Sequence, residues 1–366
     1  MKVKVLHVIG GMGRGGAPSF IINNLMRMDC SKIQFDFLVR NNNCVFTDII
    51  ESKGGRVFEV PAFPRYLVKN YKATVDFFAK HGAEYDVMHV HANALYYILP
   101  LLLAKKVGIK KIILHSHNTQ SNVHFLQPLH YLNKIFVSQL ANVFLACGKE
   151  AGKWMFGNQP FEVINNAVDT TKFAFNDLSR SEIRTELNIP ADAFVIGNVG
   201  RFELAKNHSL LVDIFYHFLQ KHPKSLLLLV GDGSFKKEIE IKIKKLGISN
   251  SVYFAGVRGD IEKLYSAMDI MLMPSLFEGL PFVAIEAQCS GLKCLLSDAV
   301  TSEAVVTDLC DSESLKASIE QWCDKIELLM KKNVLRTEYS LIVAEKKYDI
   351  NYTANRLQQI YTQYYL

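Results

Sequence analysis

Short apolar runs alternate with longer segments of helical period from one end of the chain to the other. In the front half the runs are KVLHVIG (4–10), FDFLV (35–39), VFEV (57–60), VMHVH (87–91), IILHS (112–116), VFLAC (143–147) and FEVIN (161–165). In the back half they are FVIGNVG (194–200), LLLLVG (226–231), VYFAG (252–256), IMLMP (270–274) and KCLLS (293–297). None keeps a strict apolar–polar alternation, so both faces of each strand are expected to be covered, as in parallel sheets flanked by helices. Two successive series predict two doubly wound, Rossmann-like α/β domains, with ligand at the carboxyl ends of the strands. The break is expected in the polar stretch 165–182, giving domains at 1–168 and 169–349. The segment from about 350 to 366 has helical periodicity and is free to pack back onto the front domain.

A length of 366 residues suits two domains, and 49% hydrophobic residues can fill two cores. The seven cysteines form no C-x-x-C pair, which argues against a zinc site or a disulfide framework and for a reducing compartment. The apolar stretch ALYYILPLLLA (94–104) is too short to span a bilayer, and MKVKVLHVIGG is too short and glycine-ended for a signal peptide. A cytoplasmic protein is expected. Charge is uneven: residues 1–168 carry 19 Lys+Arg against 10 Asp+Glu, or +9, and the remainder 23 against 26, or −3. A basic front half suggests an anionic partner there, but no nucleic-acid module is recognisable.

Candidate chemistry falls at the ends of the strand runs. The first enters GGMGRGGAPSF (10–20), a glycine turn before a helix in which backbone N–H groups can approach a phosphate. Gly11, Gly13 and Gly16 satisfy G-x-G-x-x-G, but FDFLVR ends in Arg40 and lacks the acid that would hold a ribose hydroxyl. IILHS opens into HSHNTQ. His115 reads as a buried core histidine and His117 as a donor to a ligand; no third metal ligand follows at a suitable spacing. FVIGNVG delivers Arg201 and Lys206, a fork and a point charge suited to a diphosphate, and GDGS (231–234) is a second strand-to-helix turn. In FEGLPFVAIEAQ (277–288), Glu278 precedes a Gly-Leu-Pro turn, Pro281 fits the first helical position, and Glu286 lies within the helix that Gly291 ends. Both carboxylates read as holders of sugar hydroxyls, with no sequence neighbour that would raise either pKa.

These stations, in this order, resemble the retaining GT-B glycosyltransferases that carry the E-x7-E motif, and most of all their bacterial capsular and exopolysaccharide branch. The motifs are GGMGRGGA, HSHN, VINNAVD, GRFELAKN, LVGDGSFK, the run VYFAGVRGD to FVAIEAQ, and KCLLSD. The resemblance implies two Rossmann-like domains facing each other across a cleft, the front one on the acceptor side and the back one binding the nucleotide sugar. It implies metal-independent transfer, with no cofactor, from a nucleoside diphosphate donor, a UDP-hexose or UDP-N-acetylhexosamine, to a glycan or polyprenyl-diphosphate acceptor. By the same resemblance Gly16 lies near the diphosphate, His117 positions the transferring sugar, and Arg201 and Lys206 stabilise the leaving nucleotide. Gly256, Val257 and Arg258 pass the base. Glu278 holds the sugar and Glu286 the ribose, with Gly279, Leu280 and Phe282 close by. Three departures stand out: Pro18 where an acid is common, Asn165–Asn166 in place of Asn-Gly, and no glycine loop after SDAVTSEAV (297–305).

Other classes fit less of the chain. A nucleotide-sugar epimerase of the same architecture would consume donor without acceptor. A noncatalytic partner subunit would have lost Arg201, Lys206, Glu278 or Glu286, and all are present. A nicotinamide-dependent dehydrogenase explains the first glycine loop alone. The +9 front half suits a peripheral position on the anionic inner face of the cell membrane.

Overall fold

A computed structural model describes residues 2–13, 15–40, 44–120 and 123–363. The chain divides into two compact units, one of Met1–Asn166 with Ile350–Leu366 and one of Ala167–Asp349.

The first unit holds a sheet of β1 (Val3–Ile9), β2 (Ile33–Val39), β3 (Val57–Glu59), β4 (Val87–Ala92), β5 (Lys111–Ser116), β6 (Val143–Ala146) and β7 (Glu162–Val163). Their order is β3-β2-β1-β4-β5-β6-β7, and every recorded pairing is parallel. The second unit holds β8 (Phe194–Val199), β9 (Ser225–Val230), β10 (Val252–Gly256), β11 (Ile270–Met273), β12 (Lys293–Ser297) and β13 (Cys310–Glu313), in the parallel order β10-β9-β8-β11-β12-β13. The expected doubly wound class is therefore correct, with order reversals beside β1 and β4 and beside β8 and β11. β13 reads CDSE; hydrophobicity gives no sign of it, because an edge strand need not be apolar on both faces.

Unit 2 shows why its strands lack alternation. Val195, Leu228, Met271 and Met273 enter one core cluster, while Ile196, Leu227, Leu229, Ile270 and Leu272 enter another. Successive side chains point to opposite faces, and each face is covered.

Unit 1 differs on one face. Leu6, Val8, Met88, Val90, Ile112 and Leu114 share an aliphatic cluster. Between them in sequence, His7, His89, His91 and His115 are buried on the other face, in register His7↔His89 and His91↔His115. The helices Gly16–Leu25 and Ile350–Thr362 bring residues to this histidine face. Phe20 meets the rings of His115 and His117, and Tyr361 bonds His89 Nδ1 at 2.7 Å. The C-terminal helix is tied down further: Thr353 donates to Asn24 at 2.9 Å, Lys111 Nζ to the Ile360 carbonyl at 2.5 Å, and Arg356 pairs with Glu162. Residues 364–366 of that segment lie outside the described residues. No helix among the described residues is long and apolar enough to cross a membrane.

One glycine contact shapes the rim of unit 2. Gly231 has φ +136°, and a Cβ there would stand 2.0 Å from the Gly200 carbonyl oxygen. Gly231→Ala is expected to destabilise the protein by about 2 kcal/mol or more through backbone strain and overpacking. Gly279→Ala, whose Cβ would meet nothing within 4 Å, should stay within about 0.5 kcal/mol of wild type. Urea unfolding of the two variants compares them directly.

Candidate active site

The carboxyl-end loops of β8 to β11 are joined by main-chain hydrogen bonds. Gly200 N–H donates to Val230 (3.0 Å), Phe202 N–H to Asp232 (3.0 Å), Gly231 N–H to Gly256 (2.8 Å) and Leu276 N–H to Ala205 (2.8 Å). Phe202 is fully buried and stacks on His208 with ring centroids 4.2 Å apart, which anchors the loop after β8. The last of these bonds brings the loop carrying Lys206 against the loop carrying Glu278. Lys206 Nζ lies 2.5 Å from Glu278 Oε1, with side chains 18% and 17% exposed. The contact is an ion pair outside hydrogen-bond geometry, since Oε1 has no hydrogen-bond donor. Two of the sequence candidates thus meet.

Arg201 does not join them. Its side chain is 67% exposed and paired with Glu203 at 2.7 Å, so the expected preorganised guanidinium is instead a solvent-facing one. Gly256 has φ +67°, Val257 is exposed, and Arg258 is engaged by Asp260 (2.7 Å) and Glu186 (2.5 Å), which leaves the backbone of this segment for any ligand. Gly279 has open space over its Cα and Leu280 is buried. Pro281 is the N-cap of the helix Phe282–Cys289, one position earlier than the sequence suggested, and Phe282 opens the helix.

Glu286 corrects an expectation. Burial pushes its carboxyl pKa up to about 7, although the Tyr265 hydroxyl, itself fully buried, donates to Oε2 at 3.0 Å. Sequence neighbours gave no hint, because the cause is burial by the surrounding fold, and even the opposing hydrogen bond comes from another helix.

In unit 1, Gly16 begins the helix Gly16–Leu25 and has nothing within 4 Å of a Cβ; Arg14 of the same turn lies outside the described residues. His115 is fully buried, as expected of a core histidine. His117 follows β5, partly exposed. The fold surrounds them with three histidines that sequence spacing did not connect. One row runs His7 Nδ1···His91 Nε2 (2.9 Å) and His91 Nδ1···His117 Nε2 (2.8 Å); a second runs Tyr361 OH···His89 Nδ1 (2.7 Å) and His89 Nε2···His115 Nδ1 (3.2 Å). Burial holds all five imidazoles neutral, with His7 and His117 pushed down to about 3. Each neutral ring carries one proton, so His117 presents an Nδ1–H donor only when its Nε2 accepts from His91. The missing third nitrogen near His115 and His117 is therefore present: His91 brings one within 4.8 Å of theirs. The signal was available as H-x-H in both VMHVH-AN and IILHSH, on strands that doubly wound topology makes neighbours.

The family model described as glycosyl transferases group 1 matches residues 179–345. The putative glycosyltransferase EpsF of Bacillus subtilis (strain 168) is 35% identical over 343 residues, covering 88% of this chain and 86% of that protein. The chain belongs to the group 1 glycosyl transferases. This group 1 enzyme is also 25% identical over 362 residues, 91% of each chain, to the UDP-Gal:alpha-D-GlcNAc-diphosphoundecaprenol alpha-1,3-galactosyltransferase of Escherichia coli. Its fold is shared with Anabaena Alr3699/HepE, solved with UDP (TM-score 0.80, 19% identity, 99% of this chain and 100% of that one) and with UDP-glucose (TM-score 0.76, 20% identity, 98% and 99%). The GT-B architecture and glycosyltransferase activity expected from the motifs are thereby established.

The two kinds of buried titratable group oppose each other with pH in this glycosyl transferase. The histidines have folded pKa values below their unfolded 6.5, so their stabilisation is present above pH 6.5 and lost as pH falls. Glu286 has a folded pKa of about 7 against an ordinary 4.5, so stability falls as pH rises between those values, by about 3 kcal/mol in all. Urea unfolding from pH 5 to 8 should show Glu286→Gln gaining on wild type across that window. Parallel curves would show Glu286 ionised throughout.

Proposed function

We propose that the protein is a retaining, metal-independent glycosyltransferase that moves a hexose or N-acetylhexosamine from a UDP donor to a lipid-linked or glycan acceptor in surface polysaccharide synthesis. The observation that carries this reading is the Lys206–Glu278 pair, held where the loops after β8 and β11 meet at the carboxyl ends of the strands. The relatives, a putative EpsF glycosyltransferase and a UDP-galactose transferase acting on a diphosphoundecaprenol acceptor, agree with it.

Breaking the sugar–phosphate bond leaves an oxocarbenium-like sugar and a nucleoside diphosphate that departs with the bonding electrons. Lys206 is placed to stabilise that anion, and Arg201 to swing from Glu203 onto it. Glu278 then holds a sugar hydroxyl, and His117 donates to the transferring sugar. Glu286 holds the ribose, with Gly16 near the diphosphate and Gly256, Val257 and Arg258 passing the base. The sequence has no D-x-D metal signature, and a fixed ammonium supplies charge at the same point. The acceptor hydroxyl attacks the face from which the nucleotide leaves, its oxygen bonding the anomeric carbon as the phosphate oxygen departs and its proton passing to that departing diphosphate.

Membrane attachment has a face to use. Between Asp86 and Glu150 the chain carries no acid but has Lys105, Lys106, Lys110 and Lys134, and the helix Gln127–Ile135 exposes Leu129, Tyr131, Leu132 and Ile135. Basic and apolar groups together suit an anionic lipid surface.

Three experiments test these readings. Among nucleoside diphosphate sugars, a UDP-hexose or UDP-N-acetylhexosamine should raise the melting temperature, since a donor that binds only the folded form stabilises it. Lys206→Ala should remain folded yet lose two to three decades in kcat, roughly 3–4 kcal/mol of barrier. Near-normal turnover would remove Lys206 from the chemistry, and donor consumption without acceptor would indicate an epimerase. In vesicle sedimentation, wild type should prefer phosphatidylglycerol to phosphatidylcholine, and K105E/K106E should lose that preference; equal binding to both lipids refutes the attachment.

A further inference from the structure

Arg40 ends its strand region in an unusual state. Its side chain is only partly exposed, its Nε is buried with no hydrogen-bond acceptor, and its guanidinium sits 4.5 Å above the Tyr97 ring. No carboxylate pairs with it among the described residues, and burial pulls its pKa below the ordinary arginine value. A partly desolvated cation without an anion is costly, and structures retain one where a ligand completes it.

The surroundings show what kind of ligand. Arg40 lines a cavity of about 230 Å³ with Gly10, Gly11, Pro18, Asn93 and Tyr96, at the carboxyl ends of β1 and β4 where the strand order reverses. That is where open α/β sheets bind ligands. Pro18 brings no charge to the cavity, so nothing there neutralises Arg40. Tyr96 and Tyr97 also line a second cavity, of about 490 Å³, whose wall is apolar: Phe63, Leu67, Val68, Tyr71, Leu102 and Leu129. Phe63 packs against Tyr97 with ring centroids 4.7 Å apart, so the two cavities share an aromatic wall. Leu67, Val68, Tyr71 and Leu102 are exposed, and Lys69, Lys72, Lys105 and Lys106 lie exposed beside them in sequence. An anion site on one side of the tyrosines and a greasy groove on the other fit an amphiphile with a charged head and a hydrocarbon tail.

We propose that unit 1 binds the lipid part of the acceptor as a prenyl diphosphate, Arg40 taking the diphosphate and the groove beyond Tyr96 and Tyr97 taking the prenyl chain. This rests on the reading of the protein as a transferase to lipid-linked acceptors and adds the site that holds the lipid. Arg40 carries a fork that can grip two phosphate oxygens, and it lies over the Tyr97 ring in the wall of the cavity.

Farnesyl diphosphate is a soluble probe of both halves at once. Isothermal titration should show it binding wild type at least tenfold more tightly than pyrophosphate or farnesol alone. Arg40→Met should weaken farnesyl diphosphate at least tenfold while raising the melting temperature, because the variant removes an uncompensated charge. Leu102→Glu, an exposed groove position that tolerates substitution, should weaken farnesyl diphosphate and leave pyrophosphate unchanged. Binding should survive in Lys206→Ala, which separates this site from the donor's, and UDP binding measured alongside reports the donor site independently. Unchanged affinity in both Arg40→Met and Leu102→Glu, or loss of binding in Lys206→Ala, overturns the proposal. Dihexanoyl phosphatidylglycerol binding as tightly as farnesyl diphosphate would overturn the prenyl assignment in favour of a phospholipid headgroup.

Discussion

The rim of unit 2 depends on backbone meeting backbone. Gly231 and Gly233 press so closely on Gly200 and Phe202 that any side chain would collide with a carbonyl at 2.0 to 2.5 Å. That proximity lets the loops after β8, β9 and β10 bond directly, and the further bond from Leu276 to Ala205 draws in the loop after β11. Lys206 and Glu278 therefore meet because their loops have nowhere else to go. The side chains of the pair are fixed from behind by main chain, which is the cheapest way to hold a charge in place before a ligand arrives.

The pair has a chemical consequence. A lone lysine at 18% exposure would suffer desolvation with nothing in return; beside Glu278 it is neutralised until an anion competes for it. A diphosphate competing for Lys206 would free Glu278 for hydroxyl donors, which is why the proposed donor reading turns on this one contact. Arg201, exposed and paired with Glu203, is held loosely where Lys206 is held firmly.

Most of the architecture could be read from the chain, because its cause is local. Strands such as LLLLV and IMLM are apolar at every position since alternate residues feed two separate cores, and that pattern needs no knowledge of partners. Lys206, Glu278 and Glu286 were identifiable as candidates from their places after strand runs. Their relationships were not. The Lys206–Glu278 contact arises from loop-to-loop bonding, and the raised pKa of Glu286 comes from its burial, which the Tyr265 hydrogen bond offsets only in part, both long-range facts. The histidine rows lie between these cases. Each H-x-H pair marks one face of one strand, but only the strand order places His7, His91 and His117 side by side.

The interior of unit 1 carries an internal comparison. Its sheet buries imidazoles where unit 2 buries aliphatics, and the two rows engage seven of the ten ring nitrogens of the five histidines, while the buried Nε2 of His115 has no partner. A neutral ring nitrogen left bare forfeits one hydrogen bond, which a folded protein tolerates. Arg40 is a harsher exception, because a guanidinium cannot shed its charge to suit a desolvated site. A fold that strings its sheet histidines into two hydrogen-bonded rows, yet leaves Arg40 over Tyr97 with no carboxylate among the described residues, gives up stability at the carboxyl ends of β1 and β4, where doubly wound sheets meet their ligands.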